Sequence, residues 1–161
     1  MNSTARFIIT EVYGDRKRFL PLLLIGDESE TMIDRYIGQG NLYAGFLEGV
    51  PIAVVMTVCI DYTTTVEVKN LAVADGFRRH GYGRRMLRHI ENRHPGKTIV
   101  LGTGETPSTL RFYKSCGFTY SHRIPDFFTD NYPEPIIEEG IRLRDMIYLK
   151  KSASGADSVT D

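Results

Sequence analysis

The run from Asn70 to Leu87 constrains this chain more than any other segment. A β-branched, apolar stretch ends near Ala74, a basic turn carrying Gly76, Gly81 and Gly83 follows, and helical spacing begins. Backbone N–H groups at the start of a helix have no intrahelical acceptor, and the helix dipole adds partial positive charge there. Gly81 and Gly83 let a ligand come close to the backbone. Together these features form an anion site, most often one for phosphate. From Arg78 to His94 there are six arginines and three histidines against one acid, Glu91. The basicity is local, because 20 Lys and Arg balance 20 Asp and Glu over the 161 residues. A chain with zero net charge lacks the surplus that generic nucleic-acid binding needs, so no nucleic-acid partner is expected.

The other elements follow from periodicity and turn residues. Arg6 to Tyr13 is β-branched and aromatic and reads as a strand. Asp15 to Ile25 carries Phe19, Leu22, Leu23 and Leu24 on one side of a helical wheel. Asp27 or Ser29 caps a second short helix through Ile37, which Gly38 and Gly40 end. Strands are expected over Leu42 to Glu48, Ile52 to Ile60 and Thr64 to Ala74, with Gly49-Val50 as the hairpin turn between the first two. A helix over Gly81 to Arg93 precedes a strand over Lys97 to Leu101. Thr106 is expected to cap the next helix with its hydroxyl, Pro107 to open it and Gly117 to close it. Phe118 to Ile124 reads as a strand, Asp126 to Gly140 as a long loop, and Met146 to Lys150 as the closing strand. This order predicts the α/β class: a mixed, mostly antiparallel central sheet with helices on both faces. Residues 1–150 are expected to form one domain and 151–161 a disordered tail.

Two other phosphate loops fail on spacing. Gly96-Lys97-Thr98 has the end of a Walker loop, but position 91 is Glu where glycine is required. Neither Gly81-Tyr82-Gly83 nor Gly102-Thr103-Gly104 has the third glycine of a dinucleotide fingerprint. Arg78-x-x-Gly81-x-Gly83 instead resembles the pyrophosphate signature of the GNAT acetyltransferase superfamily. A second stretch, Leu110 to Phe118, is similar to that family's later helix, with Tyr113 ahead of Gly117-Phe118. The element order also fits, from the first strand to about residue 150.

The resemblance implies a GNAT-type fold and acetyl-CoA as acyl donor, with no metal. It implies that Leu71, Ala72 and Val73 lie along the pantetheine. Backbone N–H groups of Arg79, Gly81, Tyr82, Gly83 and Arg84 would hold the pyrophosphate, with Arg78 and His80 beside it. Thr106 and Thr109 would meet the cofactor from the later helix. Thr106 departs from the family, where many members carry an Asn that contacts pantetheine. Tyr113 is implied as the donor to the leaving sulfur. Its ordinary alternative is a packing tyrosine. Glu67 is implied as the base, acting directly or through water. It shares a strand face with Lys69, Leu71 and Val73, and its ordinary alternative is an exposed carboxylate paired with Lys69.

The acceptor is open between a small-molecule amine and a protein amine. Six acids and two arginines between Asp126 and Asp145, with Phe127, Phe128 and Tyr132, lean toward a small cationic amine. The segment from Asp15 to Ile37, Tyr36 included, would supply the other wall. A non-catalytic acyl-CoA-binding module is the rival reading. The start of the chain has no long apolar stretch, and Cys59 and Cys116 read as reduced thiols, so a cytoplasmic protein without a membrane partner is expected. A homodimer is implied only by how common dimers are in the family.

Overall fold

The structure, a computed structural model, describes residues 6–61 and 64–153. They divide into two compact units, one of residues 6–61 and 66–95, the other of 64, 65 and 96–153.

The first unit holds strands β1 (Phe7–Val12), β2 (Asn41–Leu47), β3 (Val50–Asp61) and β4 (Thr65–Val73) in that spatial order. β1 and β3 both run antiparallel to β2. Side chains alternate across a strand, so each strand must satisfy two faces. On one face Leu42 and Ala44 of β2, Val54 and Met56 of β3 and Ala72 of β4 join a buried cluster. Leu22 and Leu23 of helix α1 (Leu20–Gly26) and Ile33 and Tyr36 of helix α2 (Glu30–Tyr36) complete it. On the opposite face lies helix α3 (Tyr82–Arg93), which buries Met86, Leu87 and Ile90. There the Tyr43 ring meets the His89 ring edge-on at 5.1 Å. Gly45 makes room for the Phe7 ring, since a Cβ on Gly45 would stand 2.3 Å from Phe7 Cζ. Helices therefore cover both faces of this unit's strands.

The second unit orders its strands β5 (Thr98–Gly104), β9 (Met146–Lys151), β6 (Thr119–Ile124), with both pairings antiparallel. Helix α4 (Pro107–Ser115) lies between β5 and β6 in sequence. It ends in a Schellman motif: Gly117, at φ 98°, donates its N–H to Lys114 O at 3.0 Å, and Phe118 N–H reaches Tyr113 O at 3.0 Å.

The α/β class and the mostly antiparallel strands are as the sequence predicts, with local differences. The hairpin turn is Glu48-Gly49, not Gly49-Val50: Leu47 pairs with Val50, and Glu48 and Gly49 have φ of 49° and 84°. A two-residue turn of this kind needs two left-handed residues, a conformation that β-branched Val50 resists. The helix expected from Asp15 to Ile25 is split into a 3-10 turn at Arg16–Phe19 and α1. Pro21 lies in the first turn of α1, where its missing N–H costs nothing. Of the two candidate caps for α2, Ser29 acts, its Oγ accepting from Met32 N–H at 3.2 Å. Thr106 stands at the N-cap of α4, but its hydroxyl makes no cap hydrogen bond. The expected loop from Asp126 to Gly140 contains helix α5 (Phe127–Asn131) and strand β7 (Ile137–Glu138), which pairs with β8 (Ile141–Arg142). Lys151, assigned by the sequence to the tail, pairs with Ile99 in β9, and residues 154–161 lie outside the described residues.

The turn register is testable by urea denaturation. Gly49→Ala places an L side chain at φ 84° and is expected to cost about 1–2 kcal/mol. Val50→Ala, in an exposed strand residue, is expected to stay within about 0.5 kcal/mol. A gain in stability from Val50→Ala, by relief of a left-handed β-branched residue, would return the turn to Gly49-Val50.

Candidate functional site

β4 carries two kinds of chemistry on its two faces. Val66, Val68, Asn70 and Ala72 are buried, while Lys69 is exposed and Leu71 and Val73 are half-buried. Glu67 is also buried, at 8% exposure, and shares the face of Lys69, Leu71 and Val73. The Lys69 ammonium stands 3.5 Å from its Oε2. The ordinary alternative for Glu67, a partnership with Lys69, is thus present in the structure. Burial of the carboxylate beside Lys69 distinguishes it from an exposed strand residue.

After β4 the chain turns sharply. Gly76 has φ 89°, Arg79 φ 65° and Gly81 φ 87°. Arg79 is one of the few non-glycine residues held in the left-handed region. Arg78 folds back, its Nε donating to Val73 O at 3.3 Å while its Nη2 lies 3.3 Å from Asp75 Oδ1. Gly81 is the N-cap of α3, and the first intrahelical bond runs from Arg85 N–H to Gly81 O at 3.0 Å. The backbone N–H groups of Tyr82 and Gly83 precede that bond, at the positive end of a helix of 12 residues. Beyond its own stretch of chain, no atom lies within 4 Å of the place a Cβ on Gly81 would take, so the space beside the turn is open. His80 is exposed beside it.

The basic residues of α3 divide by contact. Arg85 lies over the Phe7 ring at 4.8 Å. Arg93 bonds Glu11 at 3.0 Å and stands 5.6 Å above the Tyr43 ring. His89 packs on the same ring, and burial, then Arg93, hold its pKa below the ordinary value. These three residues brace α3 against β1 and β2. The exposed Arg78, Arg79 and the half-buried Arg84 stand at the turn itself.

In the second unit, Thr106 is fully buried at the start of α4 and Thr109 is half-buried one turn on. Tyr113 follows, its ring edge-on to Phe112 at 5.1 Å and to Phe118 at 5.8 Å. The contact with Phe118 is the apolar pairing that accompanies a Schellman motif. Helix termination alone therefore accounts for the spacing of Tyr113, Gly117 and Phe118. Burial pushes the Tyr113 hydroxyl well above the ordinary tyrosine range, so it holds its proton at neutral pH. The tight β7–β8 turn, with Glu139 at φ 54° and Gly140 at φ 74°, brings the Glu139 carboxylate to the Ser108 hydroxyl in the first turn of α4. The Ser108 hydroxyl holds the Glu139 carboxyl below its ordinary pKa. Asp145 is likewise engaged, accepting from Asp126 N–H at 2.9 Å and Arg123 Nη1 at 2.7 Å. Two of the six acids counted toward a cationic acceptor thus serve the loop's own structure. Phe127, Phe128 and Tyr132 form a ring cluster with centroids 5.3 to 6.4 Å apart.

A model of the acetyltransferase (GNAT) domain matches residues 38–120. YvbK of Bacillus subtilis, described as an uncharacterized N-acetyltransferase, is 35% identical over 132 residues, covering 80% of this chain and 84% of that protein. A crystal structure of a GNAT family acetyltransferase from Elizabethkingia anophelis with acetyl-CoA bound is 33% identical, at a TM-score of 0.83. The match covers 91% of this chain and 97% of that one. An IAA acetyltransferase from Bacillus cereus has the same identity and TM-score, over 91% of this chain and 99% of its own. The chain belongs to the GNAT acetyltransferase family. Among the described residues no group of three or more His, Cys, Asp or Glu is placed to hold a metal ion. None of their helices is long and apolar enough to cross a membrane.

Two features escaped the sequence. Asn70 is buried in β4, and Glu139 docks on α4 from 31 residues away. An Asn in the middle of a β-branched strand is the one local signal for the first. The second has none.

The docked carboxylate makes a pH prediction. Its pKa is depressed on folding, so its stabilisation is present above the ordinary glutamate value and is lost as pH falls through the depressed one. Wild type is expected to have a higher Tm than Glu139→Gln at pH 7, with the gap closing toward pH 3. A gap independent of pH would exclude a charge-assisted contact.

Proposed function

We propose that the protein is an acetyl-CoA-dependent N-acetyltransferase, moving an acetyl group to a primary amine by direct attack in a ternary complex. The observation that carries this reading is the open, left-handed Gly81 cradle at the start of α3. The acetyl-CoA present in the Elizabethkingia relative supports it.

Acetyl-CoA, when bound, supplies an acyl group activated as a thioester. The N–H groups of Arg79 and of Gly81 through Arg84 hold its pyrophosphate, with Arg78 and His80 beside it. Leu71, Ala72 and Val73 hold the pantetheine through the backbone of β4, and Thr106 and Thr109 contact it from α4. Glu67 accepts the proton that the acceptor ammonium must lose before it can attack. Leu71 N–H donates to the acetyl oxygen as charge develops on it. A new C–N bond would form and the C–S bond break, the departing sulfur taking the Tyr113 proton and the tyrosinate regaining one, through solvent, from the nitrogen of the tetrahedral adduct. Burial keeps Tyr113 protonated and able to donate to the sulfur, while making it a weaker acid than a free tyrosine.

The acceptor is a primary amine, of a small molecule or a protein. The acids of the 126–145 segment other than Glu139 and Asp145, together with its aromatic cluster, lean toward a small cationic amine. The chain acts without a nucleic-acid or membrane partner, in the cytoplasm.

A panel of spermidine, tyramine, lysine amide and an alanyl peptide, read by CoA thiol release, tests the reading. Tyr113→Phe is expected to lower kcat by about 10²–10⁴, as is Glu67→Gln, with KM for acetyl-CoA unchanged in both. A wild type that binds acetyl-CoA and turns over no amine would favour the non-catalytic module. Unaltered turnover in Tyr113→Phe would remove the tyrosine from the chemistry.

A further inference from the structure

Asn70 stands in the middle of β4 between Val68 and Ala72, on the face that packs on α1 and α2, and is only 4% exposed. Strands disfavour asparagine, and a buried amide is costly unless it is bonded. An apolar residue here would simply extend the cluster around it.

The amide's bonds are directional. Nδ2 donates to Leu23 O at 2.9 Å and to the Tyr36 hydroxyl at 3.0 Å. A carbonyl only accepts, so Leu23 fixes which end of the amide is nitrogen. Tyr36 in turn donates to Asp27 Oδ2 at 3.1 Å. Asp27 Oδ1 accepts from Ser29 N–H at 3.2 Å, and Ser29 caps α2. One side chain of β4 thus reaches the last turn of α1, the end of α2 and the connection between them. The remaining oxygen, Oδ1, has no hydrogen-bond partner and faces Gly26. A Cβ on Gly26 would stand 2.2 Å from that oxygen and 3.1 Å from Leu71 O. The end of α1 is therefore pressed onto β4 at Asn70 and Leu71, closer than any residue but glycine permits.

We infer that Asn70 is a positioning residue for the acceptor. Through Tyr36 and Asp27 its amide fixes the Gly26–Ser29 connection beside Leu71, and so sets where the amine stands. The inference rests on the acetyl-transfer reading, in which Leu71 N–H faces the acetyl oxygen. Tyr36, which the sequence offered as a wall of the acceptor site, is instead a buried link, 7% exposed. Ile25 just before the connection and Glu28 within it are exposed, and on this inference would meet the acceptor.

The test uses the full chain with Asn70→Ala and Tyr36→Phe, the second keeping the ring packed should the first fail to fold. With whichever amine of the panel is turned over, both variants are expected to raise acceptor KM about tenfold. KM for acetyl-CoA should stay within twofold. Amide exchange at residues 26–29 should quicken about tenfold, with β4 unchanged. A lower Tm with both KM values unchanged would show a merely structural amide and overturn the inference. If wild type turns over none of the amines, the acetyl-transfer reading fails by itself. Exchange then decides the tether: unchanged exchange in Tyr36→Phe overturns it, and faster exchange supports it.

Discussion

The left-handed backbone at Gly81 is the constraint on which the site depends. An L side chain at φ 87° is strained, and a Cβ would stand in the open space through which the proposed pyrophosphate would approach. Because the chain reverses there, β4 ends and α3 begins within a few residues, and the helix N-terminus opens beside the strand. The helix must then be held against the strands, which is the work of Met86, Leu87 and Ile90 inside and of Arg85, His89 and Arg93 at the margin. Arginines that look alike in the sequence are divided by this geometry into those that brace the helix and those that remain at the turn.

β4 extends the same logic to its two faces. One presents Glu67, Lys69, Leu71 and Val73; the other is pinned to α1 and α2 through Asn70 and Ala72. On the proposed acetyl-transfer reading, a strand anchored on one face would hold the Leu71 N–H without shifting, which is what preorganised charge stabilisation needs. The second unit places Tyr113 by a different device. The Schellman motif fixes the end of α4, and burial keeps the hydroxyl protonated.

What the sequence made legible was local. Glycines at forced φ, the Ser29 cap, the Gly117 stop and the alternation of β4 are set by residues near one another in the chain. So is the signature Arg78-x-x-Gly81-x-Gly83, and the family followed from it. What stayed hidden depends on distance. Asn70 meets partners 47 and 34 residues away, and Glu139 reaches Ser108 across 31. No periodicity encodes such contacts. The hairpin slipped by one residue because Gly49 satisfies either register, and only the pairing of Leu47 with Val50 decides between them. The Asp126–Gly140 segment read as loop because its helix and strands are too short to show a period.

The most direct test is thermal unfolding of the protein with acetyl-CoA, free CoA or ATP, each at about 100 times its expected Kd. A bound ligand at that excess adds about 2.7 kcal/mol, or roughly 5 to 10 °C for a chain of this size. The account predicts that shift with acetyl-CoA and CoA and none with ATP. No shift with any of the three, or an equal shift with ATP, would contradict a cradle at Gly81 built for the acyl donor.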